Sequence, residues 1–208
     1  MNEKIAVIDD NYSICKALAR LLNGHGYNVE IYTSAPEFLL HARDTELGCV
    51  ILDINMPNMS GLQLQEILID RKYDYPIVFI SGCGDIPSSV TAIKKGAVNF
   101  LQKPVVEQDL LQSICEAIAL HRKHQDQKRD YLLTEQAVET LTAREMEIFR
   151  YIITGKLNKQ IAYYLRITEK TVKVHRARVK QKLHVKSIVD LVRIADKVGI
   201  KPISLAES

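Results

Sequence analysis

The front half of the chain alternates short apolar runs with amphipathic stretches. Lys4–Ile8, Val29–Tyr32, Cys49–Leu52, Ile77–Ile80 and Asn99–Leu101 are the runs, short and rich in β-branched residues, as strands are. Between and after them, apolar positions recur at helical spacing. Five such units predict a parallel sheet covered by helices on both faces, since a parallel connection needs a crossover and the crossover packs on the sheet. Helix starts are marked by Ser34 with Pro36 just inside and by Asp85 with Pro87 just inside. Gly24-His-Gly26 and Lys95-Gly96 read as stops.

From about Val106 the pattern turns helical and runs into His121–Asp130, a charged stretch with no apolar stripe. Residues 121–139 read as a charged linker, helical or coil. Beyond it every segment is helical: Thr142–Thr154, Asn158–Leu165, Thr168–Leu183 and Ser187–Val198, with Gly155 closing the first. Thr142-Ala-Arg-Glu145 has the form of a capping box, Asn158 reads as the next cap, and Thr168 follows the short Arg166-Ile167 turn. Two short helices joined this way suggest a helix-turn-helix. The predicted organisation is a domain over residues 1–120, the linker, and a second domain over residues 140–208.

Composition narrows the class. At 208 residues, 47% hydrophobic and 25% charged, the chain has ordinary globular character. Its four cysteines, Cys15, Cys49, Cys83 and Cys115, form no Cys-x-x-Cys pair and lack interleaved histidines, so a zinc site is not indicated. Reduced thiols and the lack of any apolar run near the roughly 20 residues needed to span a bilayer lead to the expectation of a cytoplasmic protein with no membrane partner. Charge is divided unevenly. Met1–Ala119 carries 9 basic and 15 acidic residues, and Thr140–Ser208 carries 15 basic and 6 acidic. An acidic front and a basic rear suggest two jobs, the second being contact with a polyanion, although a charge excess alone is often a solvated surface.

In an open parallel sheet, functional groups gather at the carboxyl ends of the strands. Four polar signals fall there: Asp9-Asp10 after the first strand, Asp53 at the third, Ser81 at the fourth and Lys103-Pro104 at the fifth. Each has an ordinary alternative, as helix cap, turn or surface charge, but all four at one edge argue against coincidence. Phosphoryl transfer onto a carboxylate asks for these types: a nucleophilic carboxylate, a hard cation on oxygen ligands, and groups that take charge from the moving oxygens. Asp10 and Asp53 would supply cation ligands, Asp9 would act through water, and the backbone carbonyl of Asn55 would complete the set. Ser81 and Lys103 would face the phosphoryl oxygens. Three clustered carboxylates repel one another, which favours a divalent cation.

The Lys170–Leu183 segment, set on a wheel at about 100° per residue, places Val172, Val179 and Leu183 on one face, with His175 and Arg176 at its margins. The opposite face gathers Lys170, Lys173, Val174, Ala177, Arg178 and Gln181, with Lys180 at the flank. A solvated face would also be polar, but here every charge is positive, which favours phosphate or base contact. Lys173 and Val174 lie centrally enough for base edges; Lys180, Lys182, Asn158 and Lys159 lie nearer the rims, where phosphates would be met.

Asp9-Asp10, Asp53-Ile-Asn-Met-Pro-Asn-Met-Ser-Gly61, Ile80-Ser81-Gly82 and Phe100-Leu-Gln-Lys103-Pro104 resemble the CheY-like receiver domain of bacterial response regulators. The resemblance implies a flavodoxin-like five-stranded α/β fold, Asp53 as phosphoacceptor, Mg2+ (or Mn2+) at Asp9, Asp10 and Asp53, a sensor histidine kinase as donor, and a cis bond before Pro104. It also places Phe100 as the aromatic switch that reports on Ser81, a core aromatic being the competing reading. Leu141-Thr-Ala-Arg-Glu145, Gly155, Asn158-Lys-Gln-Ile-Ala162 and Thr171-Val-Lys-Val-His175 resemble the LuxR-type helix-turn-helix. Together the halves resemble a NarL/FixJ-family response regulator, the FixJ-like branch above others. That implies a homodimer on phosphorylation, double-stranded promoter DNA as target, and RNA polymerase as a partner to consider. Base contacts carry over onto Lys173 and Val174 but fail at Ala177, so the operator cannot be borrowed. A last helix with Ile188, Leu191, Val192, Ala195 and Val198 on one stripe would support pairing, with packing on its own domain as the alternative.

Two other classes compete. A Mg-dependent phosphohydrolase using Asp53 is disfavoured because no Asp stands two residues after the acceptor; the expectation is a non-enzyme that assists only its own phosphorylation and dephosphorylation. A receiver serving purely as a protein-interaction module is disfavoured by the basic helix face. Cys83, beside the expected phosphate, reads as an ordinary loop residue or a redox-sensitive thiol.

Overall fold

The computed structural model describes residues 3–42, 47–82 and 86–203, the side chain of residue 86 excepted. Asp85 and Cys83 lie outside the described residues. Strands β1 (Lys4–Ile8), β2 (Asn28–Tyr32), β3 (Cys49–Asp53), β4 (Ile77–Ser81) and β5 (Asn99–Gln102) form one parallel sheet in the order β2-β1-β3-β4-β5. Helices α1 (Tyr12–Gly24), α2 (Ala35–His41), α3 (Gly61–Asp70), α4 (Ile86–Lys94) and the start of α5 (Glu107–Glu139) make the crossovers and the final layer. The parallel sheet covered on both faces is the one expected from the apolar pattern, and its strand order is the doubly wound, flavodoxin-like arrangement that the receiver resemblance implied.

Alternation along each strand decides which helix it meets. Ala6 and Ile8, Val50 and Leu52, and Ile77 and Phe79 point to a core shared with Phe38 of α2, Leu64 and Leu68 of α3 and Ala92 of α4. Their neighbours Ile5, Val7, Cys49, Ile51, Val78 and Ile80 point the other way, to Cys15, Leu18 and Leu22 of α1 and Leu110, Ile114 and Ala117 of α5. Because β3 and β4 are central and covered on both faces, every residue in them is buried. Each fully buried Ile, Leu or Phe adds about 1.5–3 kcal/mol of transfer free energy. These two strands are therefore the rigid platform for whatever stands at their carboxyl ends. Local signals agree with the packing: Asn11 caps α1 through Ser13 and Ile14 N–H groups, Ser34 caps α2, and Ser60 with Gln63 forms a capping box on α3.

The chain divides into two compact units between Gln125 and Asp126. The segment read as a linker is helical, since α5 continues to Glu139. The second unit comprises the end of α5 with α6 (Ala143–Ile152), α7 (Asn158–Leu165), α8 (Glu169–Lys182) and α9 (Ile188–Lys197). Its core joins Val138, Ile148, Phe149, Ile152, Ile161, Val172, Val179, Leu183, Leu191 and Ala195. The capping box Thr142/Glu145 opens α6 and Thr168 caps α8. Asn158, in contrast, is not a cap. Leu157 holds that position, its N–H donating to Gln160 Oε1 at 2.8 Å, and Asn158 is the first helical residue. Arg166 ends α7 in the left-handed region, φ 50°, making the tight turn into α8. Of the stripe on α9, Leu191 and Ala195 are spent on the unit's own core, whereas Ile188 stays exposed. Among the described residues no helix is long and apolar enough to cross a membrane.

Candidate functional site

Asp9, Asp53 and Lys103 meet at the carboxyl edge of the sheet. Lys103 Nζ donates to Asp9 Oδ2 at 2.7 Å and to Asp53 Oδ1 at 2.6 Å. Backbone bonds place the three: Asp9 N–H donates to the Tyr32 carbonyl, Ile54 N–H to the Ile80 carbonyl, and Lys103 N–H to the Ser81 carbonyl at 2.7 Å. The Lys103-Pro104 peptide is cis. Asp53 Oδ2 accepts from Asn55 N–H at 2.7 Å, and Asp9 Oδ1 from Asn11 N–H at 2.8 Å. Each carboxylate is therefore held by one backbone donor and one shared ammonium. Ser81 is wholly buried at the end of β4, and Phe100 is half-buried against the core beneath α3 and α4.

Burial pushes the Asp53 carboxyl above its ordinary range, while the hydrogen bond and charge of Lys103 pull it back. Burial alone would lower the Lys103 ammonium; its bonds to Asp53 and Asp9 outweigh that and hold it above the usual lysine value. The ammonium is therefore held in its charged form between the two carboxyl groups.

The sequence pattern placed three carboxylates in one cluster. The structure joins Asp9 and Asp53 through Lys103, while Asp10, the next residue, is exposed. Among the described residues no group of three or more His, Cys, Asp or Glu is arranged to hold a metal ion. The donors at this edge are nonetheless all oxygen, the chemistry a hard divalent cation prefers.

Several supporting residues carried no signal in the strand pattern. Cys15 Sγ donates to the Asp9 carbonyl at 3.3 Å, and burial raises its thiol to about 11, so it serves as an inert buttress. Gly61 is needed for close approach, since a Cβ there would collide with the Asp53 carbonyl oxygen and press on the Phe79 ring. Cys49 is inert too, its thiol raised to about 12 by burial.

In the second unit, Val172, Val179 and Leu183 of the α8 segment are buried, and Lys170, Lys173, Val174, Ala177, Arg178 and Gln181 are exposed. Among the described residues Lys173 has only an exposed 3.8 Å pairing with Glu169 one turn earlier, worth little in water. Two residues expected at phosphates are differently engaged. Lys182 Nζ donates to Glu145 Oε2 at 2.6 Å and to the Thr140 carbonyl at 2.9 Å, and Lys180 Nζ donates to the Lys186 carbonyl at 2.9 Å. The reason for the first is charge: Glu145, with 3% of its side chain exposed, needs a cation. Asn158 is half-buried, its Oδ1 without a partner among the described residues, while Lys159 is exposed.

Comparison with known proteins covers both units. The family model for the response regulator receiver domain matches residues 5–115, and that for bacterial regulatory proteins of the luxR family matches residues 139–195. The chain is 40% identical to the response regulator protein TmoT of Ectopseudomonas mendocina over 93% of this chain and 88% of that protein. It is 36% identical to the transcriptional regulatory protein FixJ of Rhizobium meliloti over 95% of this chain and 97% of that one. Among solved structures, that of the response regulator StyR superposes with a TM-score of 0.86 at 42% identity, covering 95% of this chain and 100% of that chain.

Proposed function

Because this chain belongs to the response regulators of the NarL/FixJ family, which join a receiver domain to a LuxR-type DNA-binding domain, we propose that Asp53 accepts a phosphoryl group and so controls promoter binding. The observation that carries this reading is the convergence of Asp53, Asp9 and Lys103 on one sheet edge. The receiver would occupy residues 1–120, the linker 121–139 and the DNA-binding domain 140–208.

In the proposed step a carboxylate oxygen of Asp53 attacks the phosphorus of a phosphohistidine on a sensor kinase. The O–P bond forms as the P–N bond breaks, and the imidazole leaves with the electron pair. Asn55 N–H on Oδ2 orients the nucleophile. Lys103, already at hydrogen-bond distance from Asp53, passes from the carboxylate to the incoming phosphoryl oxygens without having to cross the site. Ser81, at the end of the neighbouring strand, offers its hydroxyl to the same oxygens. Mg2+ or Mn2+, held by Asp9, Asp10, Asp53 and the Asn55 carbonyl, would take up further charge from the phosphoryl group. Movement of Ser81 and Lys103 toward the phosphoryl group draws on β4 and β5, and the half-buried Phe100 on β5 can turn inward with them. Two receivers then pair and present two DNA-binding domains to a roughly two-fold promoter site.

On DNA, Lys173 and Val174 meet base edges, while Lys159, Lys170 and Arg178 meet phosphates; Lys182 positions α8 instead. Lys173→Ala is expected to cost about 1–3 kcal/mol on the preferred site and to blur base choice there. Lys159→Ala is expected to weaken all sequences alike and reduce the slope of log affinity against log salt by about one. Titrations on specific and scrambled duplexes at several salt concentrations separate the two. If Lys173→Ala keeps both affinity and base preference, α8 is not the reading helix.

A further inference from the structure

Tyr163 is 81% exposed on α7, an unusual place for so large an apolar ring. Its neighbour Tyr164 stacks on Tyr151 of α6, ring centroids 5.8 Å apart, and carries Lys156 Nζ over its ring, 4.8 Å from the centroid. That stack marks the Ile161–Tyr164 side of α7 as the one turned to α6. Successive helical residues lie about 100° apart, so Tyr163, between buried Ala162 and Tyr164, falls on the opposite flank. Lys159 lies one turn before Tyr163, and Arg166 follows three residues after it at the turn that opens α8. Both are exposed. Lys159, Tyr163 and Arg166 thus make one stripe on α7, and Lys170 and Lys173 stand exposed on the next helix, α8.

We infer that Tyr163 is a further DNA contact, its hydroxyl donating to a phosphate oxygen and its ring lying against the adjoining sugar, between the cations Lys159 and Arg166. The inference rests on the DNA-binding reading above and extends it to a residue without charge. Three observations point to the phosphate backbone as the occupant of this face. The ring is flanked by cations on its own stripe and by no acidic residue of α7. The stripe runs along α7 to Arg166 at the turn that opens α8, whose outer face is itself exposed and basic. Its hydroxyl has no hydrogen-bond partner among the described residues, its recorded contact being the edge-on Tyr164 ring at 5.8 Å. A helix that precedes the reading helix crosses the backbone, where a neutral donor fixes register without reading sequence.

A neutral contact leaves a signature that a lysine cannot. No counterion is displaced by it, so its removal lowers affinity without altering the salt slope. Tyr163→Ala should bind specific and scrambled duplexes about 2- to 10-fold more weakly by the same factor, with the slope of wild type. Tyr163→Phe should lose the part of that factor due to the hydroxyl. Lys159→Ala, measured alongside, should change the slope. Because the side chain is exposed, circular dichroism melts of the variants should match wild type. Unchanged affinity in Tyr163→Ala beside a binding wild type overturns the inference and leaves this ring to a protein partner. A loss confined to the specific duplex overturns it as well, making Tyr163 a base reader, and a changed slope assigns the effect to Lys159. Failure of wild type to bind any duplex would instead overturn the DNA-binding reading itself.

Discussion

Asp53→Asn is expected to take up no acid-labile phosphoryl group from acetyl phosphate and Mg2+, under conditions where the wild-type chain is labelled. The carboxamide keeps the shape and the Asn55 N–H contact but removes the nucleophilic charge. No neighbour can substitute. Asp9 is buried and tied to Lys103 and Asn11 N–H, and Lys103, which would receive the phosphoryl oxygens, bonds to Asp9 and Asp53 rather than to the exposed Asp10. Phosphate incorporation followed by acid and base lability settles the matter: labelling of the variant equal to that of wild type and equally labile would overturn the assignment of Asp53.

The largest expected effect on stability lies in the second unit, at Lys182. Lys182→Met leaves the buried Glu145 carboxylate with the Thr142 hydrogen bonds and no cation. Removing one partner of a fully buried pair costs about 3–5 kcal/mol, and the one-third exposure of Lys182 puts the expected loss at the lower end of that range. Glu145→Gln should cost less, since the amide oxygen still accepts from Thr142 and the lysine, one-third exposed, can turn to water. The hydrogen bond from Lys182, then that from Thr142 N–H, holds the Glu145 carboxyl at about 2, against an ordinary value of 4.5. A depressed carboxyl stabilises the fold above its unfolded pKa, and that contribution fades as pH falls through the folded one. Wild type should therefore lose this stability between about pH 4.5 and 2, and Lys182→Met should already lack it at pH 7. Thermal melts across that range decide; coincident curves for the two proteins would mean that the pair contributes nothing.

What the sequence made legible follows from where its pattern was strong. Five apolar runs of strand length, each followed by a helical period, were enough for the sheet and its two covered faces. Strand β3 extends one residue past its apolar run, so Asp53 is the last paired residue rather than a loop residue. Asp9 and Lys103 were legible as strand-end residues, and the structure joins them directly. The exposure of Asp10 was not legible, because a pair of identical residues does not say which one points inward. Nor was the engagement of Lys182: on a wheel it is one more cation at the rim, and only the fold puts the buried end of α6 beside it. Asn158 misled for a similar reason. Asparagine is a good cap, but Gln160 three residues after Leu157 supplies the reciprocal bond, which shifts the helix start by one.

Control of promoter binding as proposed rests on coupling between Asp53 and the DNA-binding face, and one measurement reaches it directly. The full chain is titrated with its preferred duplex, with and without Mg2+ and beryllofluoride, while sedimentation counts the chains bound. The phosphate mimic should tighten binding by about 10-fold or more, the scale of ordinary allosteric coupling, and should bring two chains to each duplex. Asp53→Asn should respond to neither. Equal affinity and a single bound chain in both conditions, with beryllofluoride shown to occupy the receiver, would contradict the account.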